Sequence, residues 1–197
     1  LVADQHPALL AVAMDSPAKS FRHGLFEGYK ATRPAAPPDL SQQIVRLRGI
    51  IDAYAIPVLQ QEGLEADDLI ATLVKRARAE QLRVVVVSAD KDLLQLVDDD
   101  VIMYDTGRNL VYGAEETRAK LGVLPAQVRD YLALVGDTSD NVPGVPSVGP
   151  KTAQSLIEQF GDLDALYAQL PQLTKKALRE KLTAYRDQAY LSRQLVT

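Results

Sequence analysis

The sequence has no cysteine, only two histidines, and no apolar run near the ~18 residues that would span a bilayer. Without cysteine, disulfides and thiolate metal sites are excluded, which fits a cytosolic protein. His6 and His23 both fall in polar, loop-like segments where a surface position is the ordinary reading. Neither a Ser-His-Asp nor a Cys-His nucleophile therefore has a candidate. There is no P-loop and no G-x-G-x-x-G, no internal repeat, and no stretch resembling a signal peptide. A strong excess of one charge is also missing. The 22 basic and 26 acidic residues leave a net −4, so the whole-chain charge does not point to a polyanion partner.

What is present suits one domain, or one with a subdomain: 197 residues, 47% hydrophobic and 24% charged. LLAVAMD (9–15) is a short apolar run ending in an acid and reads as a buried strand. The breaker PAAPP (34–38) precedes a helix capped by Asp39, with Leu40, Ile44, Leu47, Ile51 and Tyr54 on its apolar face. A second helix is expected from Ala66 to Arg78, burying Leu69, Ile70, Leu73, Val74 and Ala77. RVVVVSAD (83–90) is β-branched and apolar on both faces, as a central parallel strand would be, and VIMYD (101–105) and NLVYG (109–113) read as shorter strands. From about residue 114 the pattern is helical, broken by glycine and proline. The expected architecture is α/β, a mostly parallel sheet flanked by helices, followed by a helical half.

Acids stand at the ends of these elements. Asp15 closes the first strand, Glu65, Asp67 and Asp68 open a helix, Asp90 and Asp92 follow the long strand, and Asp137 and Asp140 follow a helix. Sites in parallel α/β sheets form beyond the carboxyl ends of strands, where Asp15 and Asp90 would meet. Taken singly, EADD (65–68) could be a helix-capping device, GDTSD (136–140) a turn, and DDD (98–100) a solvated turn. Taken together, convergence without cations is costly: one like-charged pair at ~4 Å costs about 4 kcal/mol at an effective dielectric near 20. Hard divalent cations would remove that repulsion, and all-oxygen ligands favour magnesium or manganese over zinc. Two such ions could activate water and stabilise a leaving oxygen in phosphodiester hydrolysis. Setting the eight acids aside turns the −4 of the chain into +4 for the remainder, which could hold a polyanion.

Two further stretches fit that partner. In FRHGLFEGYKATRP (21–34), Arg22, Lys30 and Arg33 alternate with Phe21, Phe26 and Tyr29, a pattern suited to phosphate contact and base stacking, or to a solvated amphipathic helix. In GVPSVGPKTA (144–153), Gly144 and Gly149 bracket a tight turn, Pro150 starts a helix with free amides, and Lys151 adds a charge; a plain helical corner is the other reading.

Together the blocks AVAMDSPAKSFRHGLFEGYKATRP, GLEADDLIATL, VVSADKDLLQLV and LALVGDTSDNVPGVPSVGPKTAQSLI resemble the 5′-nuclease (flap endonuclease) family, most closely the 5′→3′ exonuclease domains of bacterial DNA polymerase I. The resemblance covers nearly the whole chain. It implies a PIN-like α/β nuclease core at 1–123 with an arch segment at 16–38, and a helical helix-hairpin-helix subdomain at 124–197. Asp15, Glu65, Asp67, Asp68, Asp90, Asp92, Asp137 and Asp140 match the family's metal-binding acids. Glu65, Asp67, Asp68 and Asp90 are implied for one divalent ion, and Asp92, Asp137 and Asp140 for the other. Arg22, Lys30 and Arg33 match the base of the arch, with Lys30, Arg33 and Asp90 in catalytic roles. Gly144, Val145, Gly149, Lys151 and Thr152 match the hairpin that grips duplex DNA, often with a potassium ion. The family pattern also includes an earlier strand with a VDG-type aspartate, which does not appear before the Asp15 strand here.

The function implied is metal-dependent 5′→3′ exonuclease and 5′-flap endonuclease action on DNA in replication and repair. The expected setting is a monomer in the bacterial cytoplasm at the nucleoid, linked to a polymerase module in the parent chain, with no membrane partner. A duplex-DNA-binding module without catalysis is the alternative. A small-ester phosphatase is a weaker one, because MDSPAKS (14–20) lacks a D-x-D arrangement.

Overall fold

In the computed structural model, which describes residues 5–197, strands and helices alternate as far as Tyr112 and helices alone follow. β1 (Val12–Ala13) pairs in parallel with β2 (Val58–Leu59). β3 (Val84–Val87) runs parallel to β4 (Val101–Asp105), and β5 (Leu110–Tyr112) returns antiparallel along β4. Between the strands lie α1 (Phe21–Leu25), α2 (Pro38–Ala53), α3 (Ala66–Ala79) and a 3₁₀ turn at Lys91–Leu96. The helical half contains α4 (Ala114–Leu121), α5 (Val128–Val135), α6 (Pro150–Phe160), α7 (Leu163–Ala168), α8 (Lys176–Ala184) and α9 (Arg186–Leu195).

The α/β-then-helical order is as expected, but three local readings are corrected. Among the described residues the strands form two separate small sheets, not one. β3 is an edge strand, with only Val86 buried and Val85 and Val87 exposed; β4 is the central one. The 9–15 run supplies a strand of just two residues, and Leu9 and Leu10 are exposed. On α2 only Ile51 of the expected apolar face is buried, while Leu40, Ile44, Leu47 and Tyr54 (76% accessible) are open. No element among the described residues covers those faces, and periodicity marks a face without saying what packs on it.

The main core lies lower in the chain. Leu94, Met103, Leu132, Leu134, Ile157, Leu163, Leu166 and Leu182 are fully buried, each such side chain stabilising by about 1.5–3 kcal/mol relative to exposure. α5 is its hub, packed against α9 and α6. Directly after α5 the backbone closes on itself. Asp137 and Val142 exchange backbone hydrogen bonds of 2.9 and 2.7 Å, and Gly136 (φ +78°) lies against Gly144 (φ +59°). A Cβ on Gly144 would come within 2.5 Å of the Gly136 nitrogen, so both glycines are required by left-handed backbone and by close approach. This clasp joins the GDTSD acids to the hairpin that follows.

Candidate active site

α3 starts where the acids meet. Asp15, at the end of β1, accepts from the Ala66 amide (2.7 Å), and Asp68 accepts from the Glu65 amide (2.8 Å), so both stabilise the helix terminus as caps do. Asp90 likewise caps the 3₁₀ turn through the Asp92 amide at 3.0 Å. The bland reading of these acids is thus correct locally, and does not exhaust them. Burial, with Asp90 and Asp15 nearby, pushes the Asp67 carboxyl up to about 6. Burial also pushes Asp92 up to about 6, Asp90 adding to it against the pull of Lys91. Asp92 Oδ1 is buried without a hydrogen-bond partner, although the Lys91 ammonium lies 3.2 Å away outside hydrogen-bonding geometry.

The other acids are held by cations. Lys91 bonds Asp137, whose carboxyl falls below its usual range: burial opposes this, and Lys91 and Ser139 outweigh it. Glu65 Oε1 is 2.9 Å from Lys30 Nζ and accepts from Ser20 Oγ at 3.1 Å. The Tyr29 hydroxyl lies 3.0 Å from Glu65 Oε2 and 3.2 Å from Asp140 Oδ2. Burial and those two carboxylates push its ionisation far up, so it stays a donor. Arg33 bonds Asp140, and the Lys30 amide donates to the Asp140 carbonyl at 2.9 Å.

The structure therefore groups the acids as Asp15, Asp67, Asp90 and Asp92 by mutual repulsion, Asp92 and Asp137 around Lys91, and Glu65, Asp68 and Asp140 around Arg22, Tyr29, Lys30 and Arg33. Glu65 and Asp140 are joined through Tyr29 and Lys30. Among the described residues no three acids are arranged around a common ion position. Interposed ammonium and guanidinium groups explain that. The donor set still fits hard divalent ions: it is all oxygen, two carboxyls are held up by burial and by neighbouring acids, and one buried oxygen has no hydrogen-bond partner.

Several residues expected at a DNA interface are turned into the protein instead. Arg22 is buried, with its guanidinium occupied by Asp68 and by carbonyls at the end of α9. Tyr29 is buried and Phe26 packs on the core, leaving Phe21 as the exposed ring of that segment. Residues 26–37 contain no helix; they fold down onto the acids through Lys30, whose φ is +55°. Gly144 and Val145 face inward: the Gly144 amide donates to Ser192 Oγ (3.0 Å), its carbonyl accepts from Gln188 (2.8 Å), and the Val145 amide donates to Leu134 O (2.8 Å). Gly149, Pro150 and Lys151 are exposed at the start of α6, where first-turn amides have no intrahelical partner. Lys91 is the residue among these acids that the sequence reading leaves out, and Tyr29, expected as a stacking ring, instead joins two acids through its hydroxyl. Lys91 lies inside the ADKD motif, and its position between two acids was the available signal.

Residues 1–122 match the family described as 5′-3′ exonuclease, N-terminal resolvase-like domain, and residues 123–197 match 5′-3′ exonuclease, C-terminal SAM fold. The chain belongs to the 5′-3′ exonuclease family. The fold is accordingly a resolvase-like, PIN-type α/β core with a SAM-like helical part. The chain is 44% identical over 190 residues to DNA polymerase I of Rhizobium leguminosarum, covering 96% of this chain and 19% of that protein. It is 40% identical over 201 residues to DNA polymerase I of Bacillus subtilis, covering 100% of this chain and 23% of that protein. The chain thus spans about a fifth of the length of these relatives. A 5′-3′ exonuclease of Buchnera aphidicola is 37% identical over 194 residues, 95% of this chain and 64% of that protein. Among solved structures, T5 5′-exonuclease with bound divalent zinc superposes with a TM-score of 0.86 at 24% identity, covering 99% of this chain and 76% of that one. The T5 D15 flap endonuclease in a product complex with DNA and metal ions gives 0.85 at 23%, with the same coverage.

Proposed function

We propose that this chain is a metal-dependent nuclease that hydrolyses DNA phosphodiesters as a 5′→3′ exonuclease and 5′-flap endonuclease. The observation that carries the reading is the pair Asp67 and Asp92, both pushed up to about 6 by burial and neighbouring acids, with Asp92 Oδ1 lacking a hydrogen-bond partner. Repulsion of this kind is what a divalent cation would relieve, and that supports the reading. Family membership and the metal ions in the T5 structures support it further.

Asp15, Asp67 and Asp90 would hold one divalent ion, magnesium or manganese, and Asp92 and Asp137 the other, with Glu65 and Asp140 beside them. When bound, the ions supply positive charge to the attacking water and the leaving oxygen. Lys30 and Arg33, paired with Glu65 and Asp140 in this structure, are placed to transfer their charge to the scissile phosphate once those carboxylates find other partners. Lys151, Thr152 and Gly149 at the start of α6 would hold a phosphate of the duplex strand, beside a hairpin that is the proposed potassium site. Grip and cut are joined by the Gly136–Gly144 clasp, a basis for cutting at a fixed distance from the duplex. The DNA polymerase I relatives support a setting in replication and repair in the cytoplasm, beside a linked polymerase in the parent chain. We read the chain as a monomer.

The test is cleavage of a labelled 5′-flap substrate with and without magnesium. Wild type should cut only with the ion, and Asp67→Asn should bind the flap without cutting it. Binding without magnesium-dependent cutting by the wild type would leave the DNA-binding module in place of the enzyme.

A further inference from the structure

Arg22 is 4% accessible, and its guanidinium donates four hydrogen bonds within the protein. Nε donates to Leu195 O at 2.8 Å, and Nη2 donates to Thr197 O at 2.6 Å and Asp68 Oδ1 at 2.8 Å. Nη1 donates to Asp68 Oδ2 at 2.9 Å and lies 3.5 Å from Glu65 Oε2. Asp68 is engaged on both oxygens, since Oδ2 also caps the Glu65 amide at 2.8 Å. A planar guanidinium spent in this way has no face left for a phosphate, and the carboxylate opposite it is turned from open space toward the protein.

The far end of the same linkage reaches the hairpin. α9, whose last turn carries the Leu195 carbonyl, also presents Ser192 and Gln188, which hold the amide and the carbonyl of Gly144. A continuous set of hydrogen bonds therefore runs from the start of α3 through Asp68 and Arg22 to α9, and from α9 to the hairpin. We propose that Arg22 and Asp68 are a buried positioning pair, neither a DNA contact nor a metal ligand, that sets the spacing between the acid cluster and the duplex-gripping hairpin. A Lys at position 22 would keep the charge and lose the fork. It could not hold Asp68 on two oxygens and the Leu195 and Thr197 carbonyls at once.

The proposal rests on the nuclease reading above, and its experiment separates the two. Flap binding is titrated against salt for wild type, Arg22→Gln, Arg22→Lys and Lys151→Ala, and cut positions are mapped at nucleotide resolution. Lys151→Ala should lower the salt slope by about 0.9, one phosphate contact, while both Arg22 variants keep the wild-type slope. Both Arg22 variants should spread cleavage onto neighbouring phosphodiesters, and Asp68→Asn should do the same while binding as many manganese ions as wild type. A lower slope in Arg22→Gln, a manganese ion lost in Asp68→Asn, or a single unshifted cut site in both Arg22 variants overturns the proposal. If the variants do not fold, the wild-type Arg22 Nε–H resonance decides. It should keep slow exchange through a flap-oligonucleotide titration, and loss of that protection overturns the pair. Failure of wild type to cut at all counts against the nuclease reading, and that resonance still reports on the pair.

Discussion

The Lys91 ammonium bonds the Asp137 carboxylate and lies 3.2 Å from Asp92 Oδ1, so a side chain of the protein stands between two acids from different elements. Lys91 ionises above its ordinary range; burial opposes this, and Asp137 and Asp92 prevail. A cation that neutralises these acids in the free protein also competes with any ion that would do so. Lys91→Met should therefore tighten magnesium binding while destabilising the ion-free fold by about 1 kcal/mol, a partly exposed pair being worth no more. Calorimetric magnesium titration and urea unfolding in EDTA read the two effects. Weaker magnesium binding in Lys91→Met would show that Lys91 assists the ion.

Asp67 and Asp92 make a pH prediction with a defined sign. Their carboxyls ionise at about 6 in the fold, against 3.8 ordinarily, so the folded state holds protons that the unfolded chain has released. That contribution favours the fold fully below pH 4 and is lost as pH rises through 6. Asp68 and Asp137 are shifted the other way, and their contribution is lost on acidification below the ordinary carboxylate range. The ion-free protein should be most stable near pH 4 and weaker at pH 7.5 by on the order of 4 kcal/mol, as the two raised carboxyls together imply. Magnesium should raise the melting temperature more at pH 7.5 than at pH 5. Equal magnesium shifts at both pH values would remove the carboxylate cluster as the cause.

Gly144 and Gly149 looked equivalent as sequence and are opposites as structure. Gly144 has φ +59° and no room for a Cβ, whereas Gly149 has φ −89° and open space beside it. Gly144→Ala should cost at least about 2 kcal/mol in urea unfolding, combining backbone strain with a clash against the Gly136 amide. Gly149→Ala should stay within about 1 kcal/mol. It should instead weaken flap binding, since a methyl group there stands where the duplex backbone would approach. Similar stability losses in both would mean that the turn is strained throughout.

That contrast shows what sequence could and could not tell. Element order, the ADKD and EADD acids and the start of α6 were legible, because period, capping chemistry and motif spacing are local properties. The exposure of Leu40, Ile44 and Tyr54 on α2 was not, since a helical period marks a face and is silent about its cover. Nor was the burial of Arg22: the chain shows a cation among aromatics, and only the fold brings Leu195 O and Asp68 around it. The pairing of Glu65 with Asp140 was hidden for the same reason. They are joined by Tyr29, a residue whose aromatic ring had suggested stacking and whose hydroxyl does the joining.

Lys30 offers the sharpest separation of cutting from gripping. Its ammonium lies 2.9 Å from Glu65 Oε1 and 3.8 Å from Asp140 Oδ2, in the midst of the acids, whereas Lys151 is exposed at the start of α6. A cation among the acids acts where charge develops on the phosphate; one on the hairpin acts on ground-state binding. Lys30→Ala should slow flap cleavage by about 100-fold with flap affinity changed only about twofold. Lys151→Ala should weaken binding at low substrate and leave the rate at saturation near that of wild type. Single-turnover cleavage at saturating and sub-saturating enzyme measures both. Equal losses of binding and rate in Lys30→Ala would place Lys30 with the grip.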